Sequence, residues 1–289
     1  MTPAGAAPMR RLLKSALAAA AICLAGQGAL ALDDDALREL ASRDDAGAFA
    51  AIGRLELGNG KFCTATLVTP QIVLTAGHCL YDVHTGARHD IADIVFQAGL
   101  RDGRPEAHRR ARRAVVHPKY AYGETSLVDL AHDLALVELD HAVAPEVVVP
   151  LPLGQDPRMG GRIGVVSYQF DRSERPSLQE VCHVLNRQDG ALITSCNVDF
   201  GASGAPILTF DDQARPALVS VVSAKAELGE QKVSIGTDLA QPFRVMQAEL
   251  ERGDGVFHKP APKVLRMGAA EARSMGSAKF LKPGSGLSN

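Results

Sequence analysis

Three residues that together could cleave an acyl bond occur in order along the 289-residue chain: His78 in LTAGHC, Asp133 in HDLALVEL and Ser203 in DFGASGAP. A serine hydroxyl is a poor nucleophile at neutral pH until a base removes its proton. An imidazole, which titrates near neutrality, suits that task. A carboxylate beside it fixes the ring tautomer and stabilises the imidazolium that forms. Backbone N–H groups must also face the oxyanion that develops. The residues therefore predict acyl transfer, with Ser203 as nucleophile, His78 as general base and Asp133 as its orienting acid.

Neighbouring residues compete for these roles. Asp129 also precedes a Leu-Ala pair, but only Asp133 heads the strand-like Leu134-Ala135-Leu136-Val137. His132 reads as an exposed neighbour of Asp133. His84, His89 and Asp90 read as a solvated surface loop rather than a metal site, and neither a metal nor a cofactor is expected. An α/β-hydrolase is excluded on two counts. Ala205 stands where its G-x-S-x-G elbow ends in glycine, and its chain order of Ser, acid, His is the reverse of this one.

The elements that must position these groups are strand-like from Ala48 onward. Ile52–Leu57, Phe62–Val68, Ile72–Thr75, Ile91–Gly99, Arg113–His117 and Asp133–Leu139 are short, apolar or β-branched, and separated by turn residues. Pro145–Leu153 reads as a crossing segment. A second series follows at Gly164–Tyr168, Glu180–Leu185, Leu192–Val198, Ala205–Phe210, Ala217–Ser223 and Val233–Ile235. Many short strands without interleaved helices predict an all-β sandwich or barrels. A helix is predicted over Pro242–Glu251, with Gly253 just beyond it.

Outside this region the chain changes character. Arg10, Arg11 and Lys14 precede an apolar run over Ala16–Ala25, and Ala29-Leu30-Ala31 offers a cleavage site before Asp33-Asp34-Asp35. Residues 1–31 therefore read as a signal peptide, with no stable membrane span. Ile22 before Cys23 argues against lipidation. Residues 32–47 form an N-terminal segment and 48–252 the main domain. Residues 253–289, basic through Lys259, Lys263, Arg266, Arg273, Lys279 and Lys282, read as a disordered tail that offers a contact to the cell envelope. Export predicts a secreted or periplasmic protein. The formal net charge of −2 gives no reason to expect nucleic acid as a partner.

Export also changes the reading of the cysteines. Cys63, Cys79, Cys182 and Cys196 remain after cleavage and permit three pairings. Their spacing is not of the CxxC zinc type. In an oxidising compartment the sequence-near pairs Cys63–Cys79 and Cys182–Cys196 are favoured, each closing a loop worth about 3 kcal/mol.

The stretch from Phe62-Cys63 through Leu74-Thr75-Ala76-Gly77-His78-Cys79 resembles the trypsin/chymotrypsin-like serine proteases, most closely their compact bacterial members. So do Val116-His117-Pro118-Lys119-Tyr120, Asp133-Leu134-Ala135-Leu136-Val137 and Gly201-Ala202-Ser203-Gly204-Ala205-Pro206. The resemblance runs from about Ile52 to Leu250. It implies two antiparallel six-stranded β-barrels with a C-terminal helix, and a monomeric serine endopeptidase acting on protein or peptide. It further implies that the N–H groups of Gly201 and Ser203 form an oxyanion hole. Ser223, with Ser220 as competitor, would lie where the substrate main chain pairs as an added strand.

Two departures matter. Where many relatives carry an aspartate that receives a new N-terminal amine, this chain has Ala202, so activity is expected without such cleavage. Counting back from Ser203, Asn197 stands where trypsin carries its acidic specificity residue. Asp199 could take that place if the loop is shifted, while Lys225 would instead favour acidic side chains. Two other functions share these residues: an esterase using the same groups, and a catalytically silent relative that binds peptides or the envelope.

Overall fold

The computed structural model describes residues 37–229, 231–253 and 255–258. The expected signal peptide over 1–31 and the basic segment from 259 onward lie outside the described residues. The elements, in chain order, begin with β1 (Arg38–Glu39), α1 (Arg43–Ala46), β2 (Ile52–Glu56), β3 (Phe62–Thr69) and β4 (Ile72–Thr75). Next come β5 (Val95–Ala98), β6 (Ala107–Val116), α2 (Leu127–Leu130) and β7 (Ala135–Leu139). The second half holds β8 (Arg162–Gln169), β9 (Arg172–Gln188), β10 (Ala191–Thr194), β11 (Pro206–Phe210), β12 (Pro216–Leu228) and β13 (Gln231–Asp238). α3 (Ala240–Arg252) and β14 (Phe257–His258) follow.

These strands close two antiparallel barrels of six. β6-β5-β2-β3-β4-β7 returns to β6, and β8-β9-β10-β13-β12-β11 returns to β8. Closure pairs the first strand of each set with the last and so removes most of the free edge of an open sheet. The two-residue strand β1 adds to β9, and β14 adds to β6. Alternation drives the packing. β5 buries Phe96 and Ala98 and turns Val95 and Gln97 outward. Leu55, Leu67, Leu74 and Leu136 are fully buried in the first barrel, each worth about 1.5–3 kcal/mol. The second barrel packs Ile163, Val165, Leu192, Ile207 and Val222 around Cys182 and Cys196.

Both predicted cystines are present, Cys63–Cys79 and Cys182–Cys196. The crossing segment touches both barrels. Leu151 N–H donates to Leu67 O at 2.9 Å, and Leu218 N–H to Pro152 O at 2.9 Å. α3 buries Phe243, Met246 and Leu250 against the first barrel and ends at Gly253, whose φ of 81° suits glycine. Arg113 Nη1 ties the end of this helix down by donating to Leu250 O at 3.0 Å. No helix among the described residues is long and apolar enough to cross a membrane.

Several boundaries differ from the sequence reading. Asp90 accepts from Ala92 N–H and caps a 3-10 turn at Ile91–Asp93, so the expected strand over 91–99 begins only at Val95. β9 has 17 residues, well beyond Glu180–Leu185, because it pairs with β8 along most of its length and with β10 at its end, and β1 adds to its other side. Asp133 precedes β7, in the turn that follows α2.

Candidate active site

His78 sits in a 3-10 turn, Gly77–Leu80, directly after β4, and Cys79 anchors this turn to β3 through the cystine. Asp133 reaches it from the turn between α2 and β7. One carboxylate oxygen, Oδ1, accepts the backbone N–H of His78 at 2.7 Å, and Oδ2 meets His78 Nδ1 at 2.7 Å. Ser223, on β12, also donates its hydroxyl to Oδ2. The Asp133 side chain is 2% exposed, so three donors replace the water that a buried carboxylate loses. Gly77 makes room for this, since a Cβ there would lie 3.1 Å from Asp133 Oδ1.

The His78 pKa is the balance of opposed effects. Burial lowers it, whereas the charge of Asp133 and its hydrogen bond raise it, and the net shift is upward. Nδ1 being committed to Asp133, Nε2 is the ring nitrogen left for chemistry.

Ser203 belongs to the loop between β10 and β11, tied to both barrels. Thr64 N–H, from β3, donates to Ser203 O at 2.9 Å, and Gly204 N–H donates to Val222 O at 2.8 Å. The Thr64 hydroxyl donates to Gly201 O at 2.9 Å and accepts from Tyr168 N–H at 3.0 Å. Gly204, at φ 78°, fits where a Cβ would lie 2.1 Å from Thr75 Oγ1 and 2.3 Å from Thr64 O. Gly201 is likewise left-handed, at φ 95°. Among the described residues, the N–H groups of Gly201 and Ser203 donate to no acceptor, and no hydrogen bond joins the Ser203 hydroxyl to His78.

Ser203, His78 and Gly201 line one cavity of about 570 Å³, within the range of ligand sites. Its walls are mostly apolar and aromatic, from Phe62, Tyr81, Val83, Tyr122, Phe170 and Phe200. His89, expected in a solvated loop, is half-buried and lines this cavity, and burial lowers its pKa. Cys63, His78 and Cys79 offer donors within 4.8 Å of one another. Both cysteines are oxidised in the cystine, so they provide no thiolate for a metal.

The other candidate residues fall elsewhere. Asn197, Ser223 and Lys225 are not among the residues that line the cavity. Asn197 N–H donates to Gln179 Oε1 at 2.7 Å. Lys225 Nζ pairs with Asp199 at 2.7 Å and lies 4.0 Å from the Phe200 ring centroid. Both partners are about half exposed, which makes this a weak surface ion pair. Ser220 is buried and donates to Thr237 O at 2.8 Å, as a strand residue does. Ser126 caps α2 by accepting the backbone N–H of Asp129, whose carboxylate accepts the Ser126 hydroxyl in return, and His132 is half-buried, its ring stacked 4.8 Å from that of His117.

Residues 41–241 match the family model described as Trypsin. The chain belongs to the trypsin family of serine-type endopeptidases. It is 28% identical over 163 residues to serine protease 23 of Bos taurus, covering 50% of this chain and 43% of that protein. The chain thus matches less than half the length of that curated relative. A solved structure of a Glu endopeptidase in complex with MPD shares the fold, with a TM-score of 0.61 and 18% identity. It covers 75% of this chain and 97% of that one.

Within this trypsin-family framework, Ala202 is fully buried in the same apolar cluster as Ile207 and Val222. Thr64 escaped the sequence reading. Its only signal was a β-branched hydroxyl residue next to Cys63 in a strand that faces the loop carrying Ser203. The contact of Ser223 with Asp133 was equally hidden, since 90 residues separate the two.

Proposed function

We propose that this chain is an exported serine endopeptidase that hydrolyses peptide bonds through an acyl-enzyme on Ser203. The carrying observation is that His78, held by buried Asp133, lines the same cavity as Ser203. Asp133 holds the proton on Nδ1, so Nε2 has a free lone pair to accept the Ser203 proton. The hydroxyl must rotate onto Nε2, a contact that commonly tightens only when substrate binds. Attack forms the tetrahedral intermediate, whose oxyanion takes the unused N–H groups of Gly201 and Ser203. His78 then passes its proton to the leaving amine, and water releases the acyl group by the same route.

Substrate main chain has a place to pair. At Ser220 and Val221, β12 is paired on both sides, to β11 and β13, whereas from Ala224 onward it pairs with β13 alone, with Ser223 at the register shift between Val222 and Ala224. The open side supports addition of a peptide as a further strand. Two cystines and the N-terminal leader support export. Ala202, seated among apolar side chains, supports competence without an ion pair to a freshly cut N-terminus.

Labelling with a fluorophosphonate tests the reading. The wild type should label, and Ser203→Ala and His78→Ala should not. Labelling that survives Ser203→Ala would remove the nucleophile assignment.

A further inference from the structure

Phe170 and Phe200 are 77% and 73% exposed, the two most exposed large apolar side chains among the described residues, and Val83 is 69% exposed. All three line the cavity that holds Ser203 and His78. Scattered apolar side chains on a surface are ordinary, but a contiguous group beside a reactive centre marks a binding surface.

The backbone that carries the two rings is pinned, and the Phe200 ring is also covered. Phe170 occupies the tight turn between β8 and β9, and its N–H donates to Phe200 O at 2.8 Å. Phe200 N–H donates to Asp199 Oδ1 at 2.8 Å, and Lys225, paired with the same oxygen, sits over the Phe200 ring at 4.0 Å. The Phe200 ring, covered in this way, loses little freedom when a ligand arrives. Lys61, which lines the cavity, pairs with Asp82, and Lys225 beside the Phe200 ring pairs with Asp199. No unpaired charge among these four favours an acidic or a basic guest.

Chemistry decides which half of the substrate lies here. The cavity is lined by nothing from β12 or from Asn197–Asp199, and it runs from Ser203 past His78 and over the Cys63–Cys79 cystine. The acyl half pairs with β12. The amine half receives its proton from His78, so it departs on the imidazole side. We propose that Phe170, Phe200 and Val83 form an apolar clamp that selects substrates with a large apolar residue directly after the bond that is cleaved. This inference rests on the acyl-enzyme reading of Ser203.

Acyl transfer tests it, because an amine attacking the acyl-enzyme enters the site that the leaving amine vacates. A peptide ester acylates Ser203 and its alcohol leaves. The added amine then forms the C–N bond as the carbonyl–Oγ bond breaks, and its proton returns to Ser203 through His78. Leucinamide and phenylalaninamide should capture the acyl group at least about tenfold better than glycinamide, each compared against water. Phe170→Ala and Phe200→Ala should each lower that ratio severalfold, with Leu at either position restoring much of it. The ratio is internal to each acyl-enzyme, so a reduced folded fraction does not move it. A ratio within twofold of unity in the wild type, or one unchanged in the double alanine variant, overturns the clamp while fluorophosphonate labelling stands. Absence of both labelling and acyl-enzyme overturns the underlying reading and the clamp with it.

Discussion

Replacing Asp133 by asparagine changes one atom and tests the hydrogen-bond logic of the site. The carboxylate accepts from His78 N–H, His78 Nδ1 and Ser223 Oγ. An amide has one oxygen and one NH₂ group. If its oxygen keeps the His78 backbone N–H, its NH₂ faces Nδ1 and Ser223. Nδ1 must then accept, the ring proton moves to Nε2, and Nε2 can no longer take the proton of Ser203. The expected loss in kcat is on the order of 10³–10⁴-fold, or about 4–5.5 kcal/mol of barrier.

The same substitution moves the pH profile. His78 works as the neutral base, so activity rises with pH through its pKa, which lies above the ordinary 6.5. Without the Asp133 charge that limb should shift to lower pH. Stability follows with a definite sign. A raised histidine pKa contributes stability that is complete below the unfolded value and is lost as pH rises through the folded one. The melting-temperature advantage of wild type over Asp133→Asn should therefore be larger near about pH 5.5 than near about pH 9. The measurements are kcat/KM against pH on one peptide substrate and thermal melts at both pH values. A variant that keeps kcat/KM within about tenfold, with its acid limb unmoved, refutes the reasoning.

Thr64→Val keeps the shape of the side chain but leaves Gly201 O and Tyr168 N–H without their buried partner. Stability should fall by about 1–3 kcal/mol in denaturant melts, and kcat should fall more than KM rises because the Ser203 loop loosens. Replacing Cys63 and Cys79 together by serine should cost about 3 kcal/mol, seen as a melting temperature lower by roughly 6–12 °C. Activity should drop further than it does for the Cys182 and Cys196 pair, since only the first cystine anchors the turn that carries His78.

Some features were legible because they depend on neighbours in the chain. Alternating apolar residues located most strands, and Pro242 with Gly253 bracketed the last helix. β6 extends back to Ala107 through His-Arg-Arg-Ala-Arg-Arg, which hides a strand from any hydrophobic reading. Its outward residues are charged, and Arg112 and Arg113 both bond Glu138 on β7. The 3-10 turn at Ile91–Asp93 was missed because the Asp90 cap outweighs an apolar run.

What the amino-acid order determined by itself is the inventory: a base, an acid and a hydroxyl in short characteristic stretches, four cysteines spaced for two local bridges, and twelve strands able to roll into barrels. Which groups meet was decided only by folding. Ser223 reaches Asp133, Thr64 holds the loop of Ser203, Lys225 spends its charge on Asp199, and Phe170 joins Phe200 at the cavity. Each of these contacts joins segments that the backbone brings together only when both barrels close. Local propensity says how a strand forms, but not which distant strand it will lie against.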